Sequence, residues 1–348
     1  MHGIGRLKLS QAIESRILGE IARLGYSITN PAAIAQSIES LSDYYIQNPT
    51  GKTPYHKPWA QIASLAYYLP LNLLRCAAAV NHAKSLGFFE GLRSGAEIGS
   101  GLGALTLAME MMDVTLPKFL CAERSDWASE LHGRLQSVSW LRRQTVDVQR
   151  DLKEAVDLYS FSYALTEFSS LPISLKSVRA VLIVEPGTRE DGQKLIEVRR
   201  QLISEGFHIW APCTHQDACS MTARPRDWCH DRIDWEQPDW YEAVEAQLPM
   251  QNRTLPFAYL LARRDPPPIF LGGFARTVGD VLVEKGRVRQ QLCRGAEREF
   301  VVWQKRDAPE GGFPRGTLVT LRPDVKKAGD GWHAAEGDCS LAQWPNPH

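Results

Sequence analysis

A glycine-rich turn between a strand and a helix constrains this chain more than any other feature. Ala96-Glu97-Ile98 reads as the end of a strand, residues 99–103 contain glycine at every second position, and residues 104–112 continue as a helix. Glycine lets the backbone adopt conformations that a Cβ forbids and lets it approach a ligand closely. The amides at the start of the helix would face such a ligand. The alternative is a turn whose glycines serve packing.

An acidic residue followed by G-x-G-x-G is typical of class I folds that bind S-adenosylmethionine (SAM). The third glycine comes one residue early for the dinucleotide fingerprint G-x-G-x-x-G. The next predicted strand ends at Glu123, roughly 20 residues later, where nucleotide-binding folds place an acceptor for ribose hydroxyls. Glu123 is alternatively a solvated acid before the next helix. The candidate cofactor contacts, which include two in the loops after the third and fourth strands, are Glu97, Gly99, Ser100, Gly101, Gly103, Glu123, Asp147 and Ser162.

Composition places the chain among globular proteins of two or three domains. It has 348 residues, of which 44% are hydrophobic and 23% charged, with a formal net charge of zero. This balance argues against a strongly basic coat for nucleic acid. No apolar run is expected to reach the length that crosses a bilayer. Seven cysteines, an odd number, without a signal-peptide core indicate a reducing compartment. We expect a bacterial-type cytoplasmic location, with mitochondria as the alternative.

Three regions follow from the patterning. Residues 1–90 have helical periodicity, and Pro70 should kink or split the long apolar helix. Residues 91–265 alternate strands and helices, which predicts an α/β doubly wound sheet of the class I SAM-methyltransferase type. A cysteine-rich insertion, residues 212–252, interrupts this domain. Residues 266–348 form a small β-module, whose lysines and arginines predict a basic face that neutralises phosphates or is simply solvated.

Three cysteines in the short insertion suggest a metal site. Cys213, Cys219 and Cys229 are spaced too widely for a zinc finger, and this spacing suits an iron–sulfur cluster. A fourth thiolate must come from elsewhere, and Cys293 at a hairpin end is preferred to Cys339. His215 and His230 offer the alternative of zinc.

At several places the sequence resembles the Rsm22 family of class I methyltransferase-like proteins. The Glu-Pro-Gly-Thr and Ala-Pro-Cys-x-His motifs are the most distinctive of these. The matching segments, in chain order, are Ala66-Tyr67-Tyr68-Leu69, the turn from Glu97 to Gly103, Ser162-Tyr163-Ala164-Leu165-Thr166-Glu167-Phe168, Glu185-Pro186-Gly187-Thr188, Ala211-Pro212-Cys213-Thr214-His215 and Asp227-Trp228-Cys229-His230.

The resemblance covers about residues 55–305. It implies a SAM-binding fold, association with the small ribosomal subunit through rRNA, and a four-cysteine [4Fe-4S] cluster on Cys213, Cys219, Cys229 and Cys293. The sequence departs from the family where Ser220, instead of proline, follows the second cysteine. It departs again where Leu69-Pro70-Leu71 replaces Arg-Leu-Pro.

The catalytic machinery of a methyltransferase is weakly marked. The loop after the fourth strand has neither the Asn/Asp-Pro-Pro-aromatic pattern of amine methylation nor a cysteine nucleophile. Tyr163 and Glu167 are the candidates for orienting an acceptor. Three hypotheses remain: an rRNA-associated assembly factor, an active rRNA methyltransferase, and a non-ribosomal methyltransferase with a zinc loop. They are ranked in that order, since the sequence supports SAM binding better than methyl transfer.

Overall fold

The computed structural model describes residues 6–48, 52–145, 155–168, 171–172, 174–268 and 273–342. Its contacts divide the chain into two compact units. The N-terminal unit comprises Arg6–Glu185 and Ile233–Leu255, and the C-terminal unit comprises Pro186–Arg232 and Pro256–His348. The region boundaries expected near residues 90 and 265 differ from this division by contacts, and they stay predictions.

Amphipathic helices open the N-terminal unit, as the periodicity predicts. α1 (Gln11–Arg23) is capped by Ser10, whose hydroxyl accepts a hydrogen bond from Ile13 N at 3.4 Å. The helix buries Ile17 on the face that also carries Ile13. α2 (Pro31–Gln47) has proline in its first turn, where an amide hydrogen is not needed. The predicted helical nature of this region is therefore confirmed.

The long apolar helix is interrupted just before Pro70. α3 (Pro58–Ala63) continues through a π-helical turn at Ser64–Tyr68 into α4 (Leu69–Ser85). Proline lacks an amide hydrogen and crowds the preceding turn, and the wider π turn lies where that crowding falls. Pro58–Ser85 is long and apolar enough to cross a membrane, which corrects the expectation that no such run exists. Because 83% of its most apolar window is buried inside the protein, this segment is a core helix.

Among the described residues, five parallel strands form the sheet of the N-terminal unit, in the order β3-β2-β1-β4-β5. Helices α5 and α6 follow β1 and β2, so strands and helices alternate as predicted. This strand order and the alternation of strands with helices make an α/β doubly wound sheet, as predicted. The bounds are β1 Ser94–Ile98, α5 Ala104–Met111, β2 Lys118–Glu123, α6 Asp126–Leu135, β3 Leu141–Thr145, β4 Leu158–Ser162 and β5 Ala180–Pro186.

The parallel register brings three strand ends to one edge of this sheet. Ile98 at the end of β1 is level with Ala122 of β2 and with Phe161 of β4. Ligands of open α/β sheets bind at the carboxyl ends of the strands. The loops that follow β1, β2 and β4 therefore share one site.

The C-terminal unit begins with α7 (Arg189–Ser204), capped by Thr188, whose hydroxyl accepts from Asp191 N at 3.2 Å. The next strand, β6, pairs antiparallel with β8, and His208 lies opposite Arg263. The chain between these strands contains a short 3₁₀ turn, one strand and one helix, of which the helix and the end of the strand belong to the N-terminal unit. The bounds are β6 His208–Ala211, the 3₁₀ turn Ser220–Ala223, β7 Asp231–Asp234, α8 Asp239–Glu245 and β8 Thr254–Arg263.

The predicted small β-module is present in the C-terminal unit. Antiparallel strands β11 and β12 form the hairpin expected around Gly295, and β15 adds to β12 in parallel. Leu292, Val301 and Trp303 are buried in the core of the module. The strands are β9 Ala275–Thr277, β10 Leu282–Val283, β11 Arg287–Cys293, β12 Glu299–Gln304, β13 Leu318–Leu321, β14 Lys326–Ala328, β15 Gly331–Ala334 and β16 Cys339–Leu341.

The basic face expected on this module is weaker than its arginines and lysines suggest. Residues 266–348 contain twelve lysines and arginines and ten acids, a surplus of only two. Several of the arginines are already paired with acids: Arg289 with Asp330 at 3.3 Å and Arg294 with Glu299 at 2.6 Å. Because such pairs neutralise each other locally, the module has less free charge for phosphates than the sequence predicted.

Candidate functional site

The three glycines of the turn Gly99–Gly103, called here the glycine turn, all have positive φ: 69° at Gly99, 52° at Gly101 and 85° at Gly103. A Cβ on Gly99 would lie 2.8 Å from the Cβ of Ala164, and one on Gly103 would lie 2.2 Å from the ring of His132. Packing therefore explains two of the glycines. A Cβ on Gly101 would lie 3.6 Å from its nearest atom, so there is room for a side chain. Glycine is favoured here because of the positive φ and not because of packing.

Glu97 is fully buried behind the glycine turn and only half satisfied. Its Oε1 accepts a hydrogen bond from Ser162 Oγ at 2.5 Å, whereas Oε2 is buried with no hydrogen-bond partner among the described residues. Burial raises the pKa of Glu97 to about 8, against the opposing bond from Ser162. The Oγ of Ser100 is likewise buried without a partner there. Buried polar groups in proteins are normally paired, so both atoms indicate a missing hydrogen-bonding ligand.

Glu123 ties the glycine turn to the loop after β2. Its Oε2 accepts from Gly101 N and its Oε1 from Ser125 N, both at 2.9 Å. Ser125 caps α6, accepting from Ala128 N at 3.3 Å, so the carboxylate of Glu123 is not the helix cap. It is buried and not solvated. Since each carboxylate oxygen accepts more than one hydrogen bond, Glu123 retains capacity for a ligand hydroxyl.

Tyr55 reaches the same edge from the N-terminal helical region. Its hydroxyl is the atom nearest to the open side of Gly101, and its ring packs on Trp127 with centroids 5.3 Å apart and planes 30° apart. Burial and the charge of Glu123 raise the pKa of the phenol above its usual value. The sequence gives no sign of this role for Tyr55, because the residue lies in a loop with no motif of its own.

The structure separates the two candidate acceptor-orienting residues. Tyr163 has a left-handed φ of 57°, and its hydroxyl is buried beside Arg75 and Cys76 of α4. Glu167 is 42% exposed and pairs with Arg124, 3.0 Å from carboxylate oxygen to guanidinium nitrogen. A catalytic role for either residue stays a prediction. Asp147, predicted near the adenine, lies outside the described residues.

Four cysteines line one cavity in the C-terminal unit, called here the cysteine cavity: Cys213, Cys219, Cys229 and Cys293. Three come from the chain between β6 and β7, and the fourth ends β11. All four thiols are free. Apolar side chains, Leu195, Ile196, Met221 and Leu260 among them, line much of the rest. Cys339, the alternative fourth ligand, is instead buried in the core of the β-module.

The sulfur atoms of the cysteine cavity influence one another. Burial, followed by the charge of Cys213, raises the pKa of Cys219 to about 12, and burial also raises the pKa values of Cys229 and Cys293. Without a metal, the raised pKa values keep the thiols of Cys219, Cys229 and Cys293 protonated at neutral pH. A bound metal would remove those protons and take the thiolates as ligands.

Across the described ranges of the chain, no three histidine, cysteine or acidic side chains are grouped so as to hold one ion. His215 lies beside Cys293, with Nε2 3.3 Å from Sγ, but His230 stacks on Trp228 with centroids 5.3 Å apart.

Comparison with known proteins identifies a family. The profile of the family described as mitochondrial small ribosomal subunit Rsm22 matches residues 93–333, more than half of the sequence. No curated protein matches it.

Similar solved structures include three methyltransferases. Ribosomal protein L11 methylase of Lactobacillus delbrueckii subsp. bulgaricus is 13% identical, with a TM-score of 0.33 over 54% of this chain and 78% of that one. TrmK of M. capricolum, bound to S-adenosyl-homocysteine, is 7% identical, with a TM-score of 0.34 over 53% and 68%. Magnesium protoporphyrin IX methyltransferase of Synechocystis PCC 6803, also with S-adenosyl-homocysteine, is 12% identical, with a TM-score of 0.30 over 54% and 84%.

Proposed function

The chain belongs to the Rsm22 family, and from that premise we propose that it is a SAM-binding, iron–sulfur-containing factor of the small ribosomal subunit. The observation that carries the proposal is the extent of the family match. Residues 93–333 include both the glycine turn and all four cysteines of the cysteine cavity. We propose association with the subunit through its rRNA, in assembly or translation.

SAM fits the residues at the carboxyl edge of the parallel sheet. Its α-ammonium group would satisfy the unpartnered Oε2 of Glu97, and Ser100 Oγ offers a further hydrogen bond. Glu123 would accept from the ribose hydroxyls, and the amides of the glycine turn lie beside it. SAM supplies an activated methyl group when bound. The residues of this chain would hold and orient SAM, and the ring of Tyr55 would pack against its nucleoside.

Methyl transfer is a separate proposal from SAM binding. An acceptor must be held in line with the methyl group, and its proton must have a place to go. Tyr163 has its hydroxyl buried against α4, and Glu167 is paired with Arg124. Binding without transfer is therefore our leading proposal, and rRNA methylation is the second.

A [4Fe-4S] cluster is the group we propose for the cysteine cavity. Four free cysteines are the donor set of such a cluster, and their wide sequence spacing is permitted. When bound, the cluster would link the Cys213–Cys229 chain to the end of β11 and stabilise a segment of irregular structure. Zinc is the alternative, because structural zinc sites also use four cysteines, or cysteines together with histidines such as His215 and His230.

The location follows from the partner. The family is described as mitochondrial, which supports the mitochondrial alternative for this chain. We propose that the protein acts where its small ribosomal subunit is assembled, which is the cytoplasm if the source is bacterial.

The test uses anaerobically purified protein and small-subunit particles from cells that lack it. Labelled methyl from SAM is supplied, and both the label in rRNA and the protein bound to the particles are measured. Binding without label supports the assembly factor, and label in rRNA supports the enzyme and identifies the base. The matched control is Gly101→Val, in which a side chain enters the glycine turn. A protein that neither binds particles nor transfers label would overturn the ribosomal proposal.

A further inference from the structure

Arg199 is buried in the C-terminal unit with sulfur as a partner. It lies on α7 with 4% of its surface exposed. Its Nε donates to Cys213 Sγ at 3.3 Å, and its Nη2 donates to the carbonyl of His215 at 2.9 Å.

The next residue shows what an ordinary arginine on this helix does. Arg200 has a side chain that is 77% exposed and pairs with Glu197 one turn earlier, at 2.9 Å. Two neighbouring arginines thus face opposite environments. One is a solvated surface cation with a carboxylate, and the other is a buried cation directed at a cysteine.

Burying a cation is unfavourable unless an anion compensates it. Neutral thiols do not supply that anion, whereas thiolates that ligate a metal do. The second buried arginine at the cavity, Arg276, is already compensated by an ion pair with Asp231, although its Nη1 also lies 3.5 Å from Cys229 Sγ. No carboxylate in the described part of the chain pairs with Arg199, so its counter-charge must come from the cysteine sulfurs.

We propose that Arg199 is a positioning residue for the cluster, whose thiolate charge it balances and whose reduction potential it raises. The inference rests on the cluster proposed above. Four thiolates give an oxidised [4Fe-4S] centre a net charge of −2, and one-electron reduction adds a further negative charge in a buried space. A guanidinium group in contact with a ligand sulfur stabilises the reduced form more than the oxidised form. This contact therefore lowers the free-energy cost of burying the negative cluster and raises its reduction potential.

The experiment is a redox titration of the full chain, with its cluster, followed by electron paramagnetic resonance under anaerobic conditions. An external reductant supplies the electron. Arg199→Gln, which keeps a donor but loses the charge, should lower the midpoint potential and speed loss of iron to a chelator severalfold. Arg199→Lys, which keeps the charge, should stay near the parent protein. The matched control is Arg200→Gln on the same helix, which should change neither quantity.

Each outcome decides between the two proposals. Parent protein that contains no iron and sulfide overturns the cluster, and the inference with it. Cluster present, but with equal potentials in Arg199→Gln and Arg200→Gln, overturns the role of Arg199 while the cluster stands. If Arg199→Gln does not fold, the decision rests on Arg199→Lys, which keeps the positive charge. A midpoint potential of Arg199→Lys well below that of the parent protein would show that charge is not what Arg199 contributes.

Discussion

The glycine turn and the cysteine cavity are two sites built in opposite ways. The first is built around one continuous stretch, Glu97–Gly103, and leaves a buried carboxylate oxygen without a partner among the described residues. The second draws its residues from segments up to 80 positions apart, Cys213 and Cys293, and in the described part of the chain leaves the buried cation Arg199 without a carboxylate. One site therefore calls for a ligand with a positive group, and the other for a ligand with negative charge.

Because of this difference, the two sites leave different signals in the sequence. A site in one stretch has a pattern that survives in the sequence, because neighbours in the chain are neighbours in space. A site assembled from distant segments shows only its residue types, and its geometry comes from the fold. If the two sites are independent, a change in one should leave ligand binding at the other unaltered. The glycine turn should prefer a ligand with a positive group, and the cysteine cavity one with negative charge.

The largest effect is expected from Cys213→Ser with Cys229→Ser. Removing two ligands should abolish bound iron and lower the stability of the C-terminal unit by about 5 kcal/mol or more, because metal binding in such segments contributes folding free energy. SAM affinity should change by no more than about twofold, as for independent sites. Iron content, thermal unfolding and calorimetric titration with SAM give the three quantities. Retained stability and particle binding without iron would contradict the structural role of the cluster.

A smaller loss of stability is expected from alanine substitutions in the glycine turn, and it should differ between Gly103, which is packed against a side chain, and Gly101, which is not. Gly103→Ala places a Cβ against the buried ring of His132 at a φ of 85°, and should cost about 2–4 kcal/mol of unfolding free energy. Gly101→Ala has the same backbone penalty without the clash, and should cost about 1 kcal/mol. Denaturant unfolding measures both. Equal losses would show that the ring of His132 yields and that packing does not require Gly103.

The buried carboxylate predicts a pH dependence. Burial raises the pKa of Glu97 from its ordinary value of 4.5 to about 8 in the folded chain, so the folded state holds a proton that the unfolded state loses between these values. The stability this proton confers is complete below about pH 4.5 and is lost as the pH rises through 8. Within that range, the free energy of unfolding should fall by about 1.4 kcal/mol for each pH unit. Glu97→Gln should remove this slope in cofactor-free protein. Denaturant unfolding at pH 5 and pH 8 is the measurement.

The same carboxylate should also respond to its ligand. An ammonium group beside Glu97 favours the ionised form, so SAM binding near pH 7 should release a proton, and affinity should rise towards pH 8. Calorimetry in buffers of different ionisation enthalpy detects the released proton. A SAM affinity that is independent of pH in the parent protein would argue against the contact.

The smallest effect concerns Tyr55. If its ring packs against the nucleoside, Tyr55→Ala should weaken SAM binding by about 1 kcal/mol, or fivefold. Tyr55→Phe, which keeps the ring, should bind SAM with nearly the affinity of the parent protein. Quenching of Trp127, the stacking partner of Tyr55, offers an optical readout. Stronger binding by Tyr55→Ala would mean that the ring blocks the site in the cofactor-free protein.

Much of the N-terminal unit was predictable because its signals are local. The spacing of Ile13 and Ile17 gives a helix, and the alternation of strands and helices gives the parallel sheet. The effect of Pro70 was located correctly but its form was not. A sequence shows that a proline disrupts a helix, whereas packing decides whether the backbone kinks or widens into a π turn.

The basic face of the β-module was overestimated for a related reason. A run of arginines is visible in the sequence, but their partners are not. Arg298 pairs with Asp227, 71 positions earlier, and Arg289 pairs with Asp330. Free charge depends on which side chains meet after folding.

The sequence by itself determined the glycine turn, the acid at each of two strand ends, and the residue types of the cysteine site, because these depend on chain neighbours and on period. Tertiary structure alone placed Tyr55 over Gly101, put Cys293 into the cavity while Cys339 went to a core, and directed Arg199 inward while Arg200 stayed outside. The physical reason is that burial and contacts between distant residues follow from packing the whole chain. No local pattern carries that information.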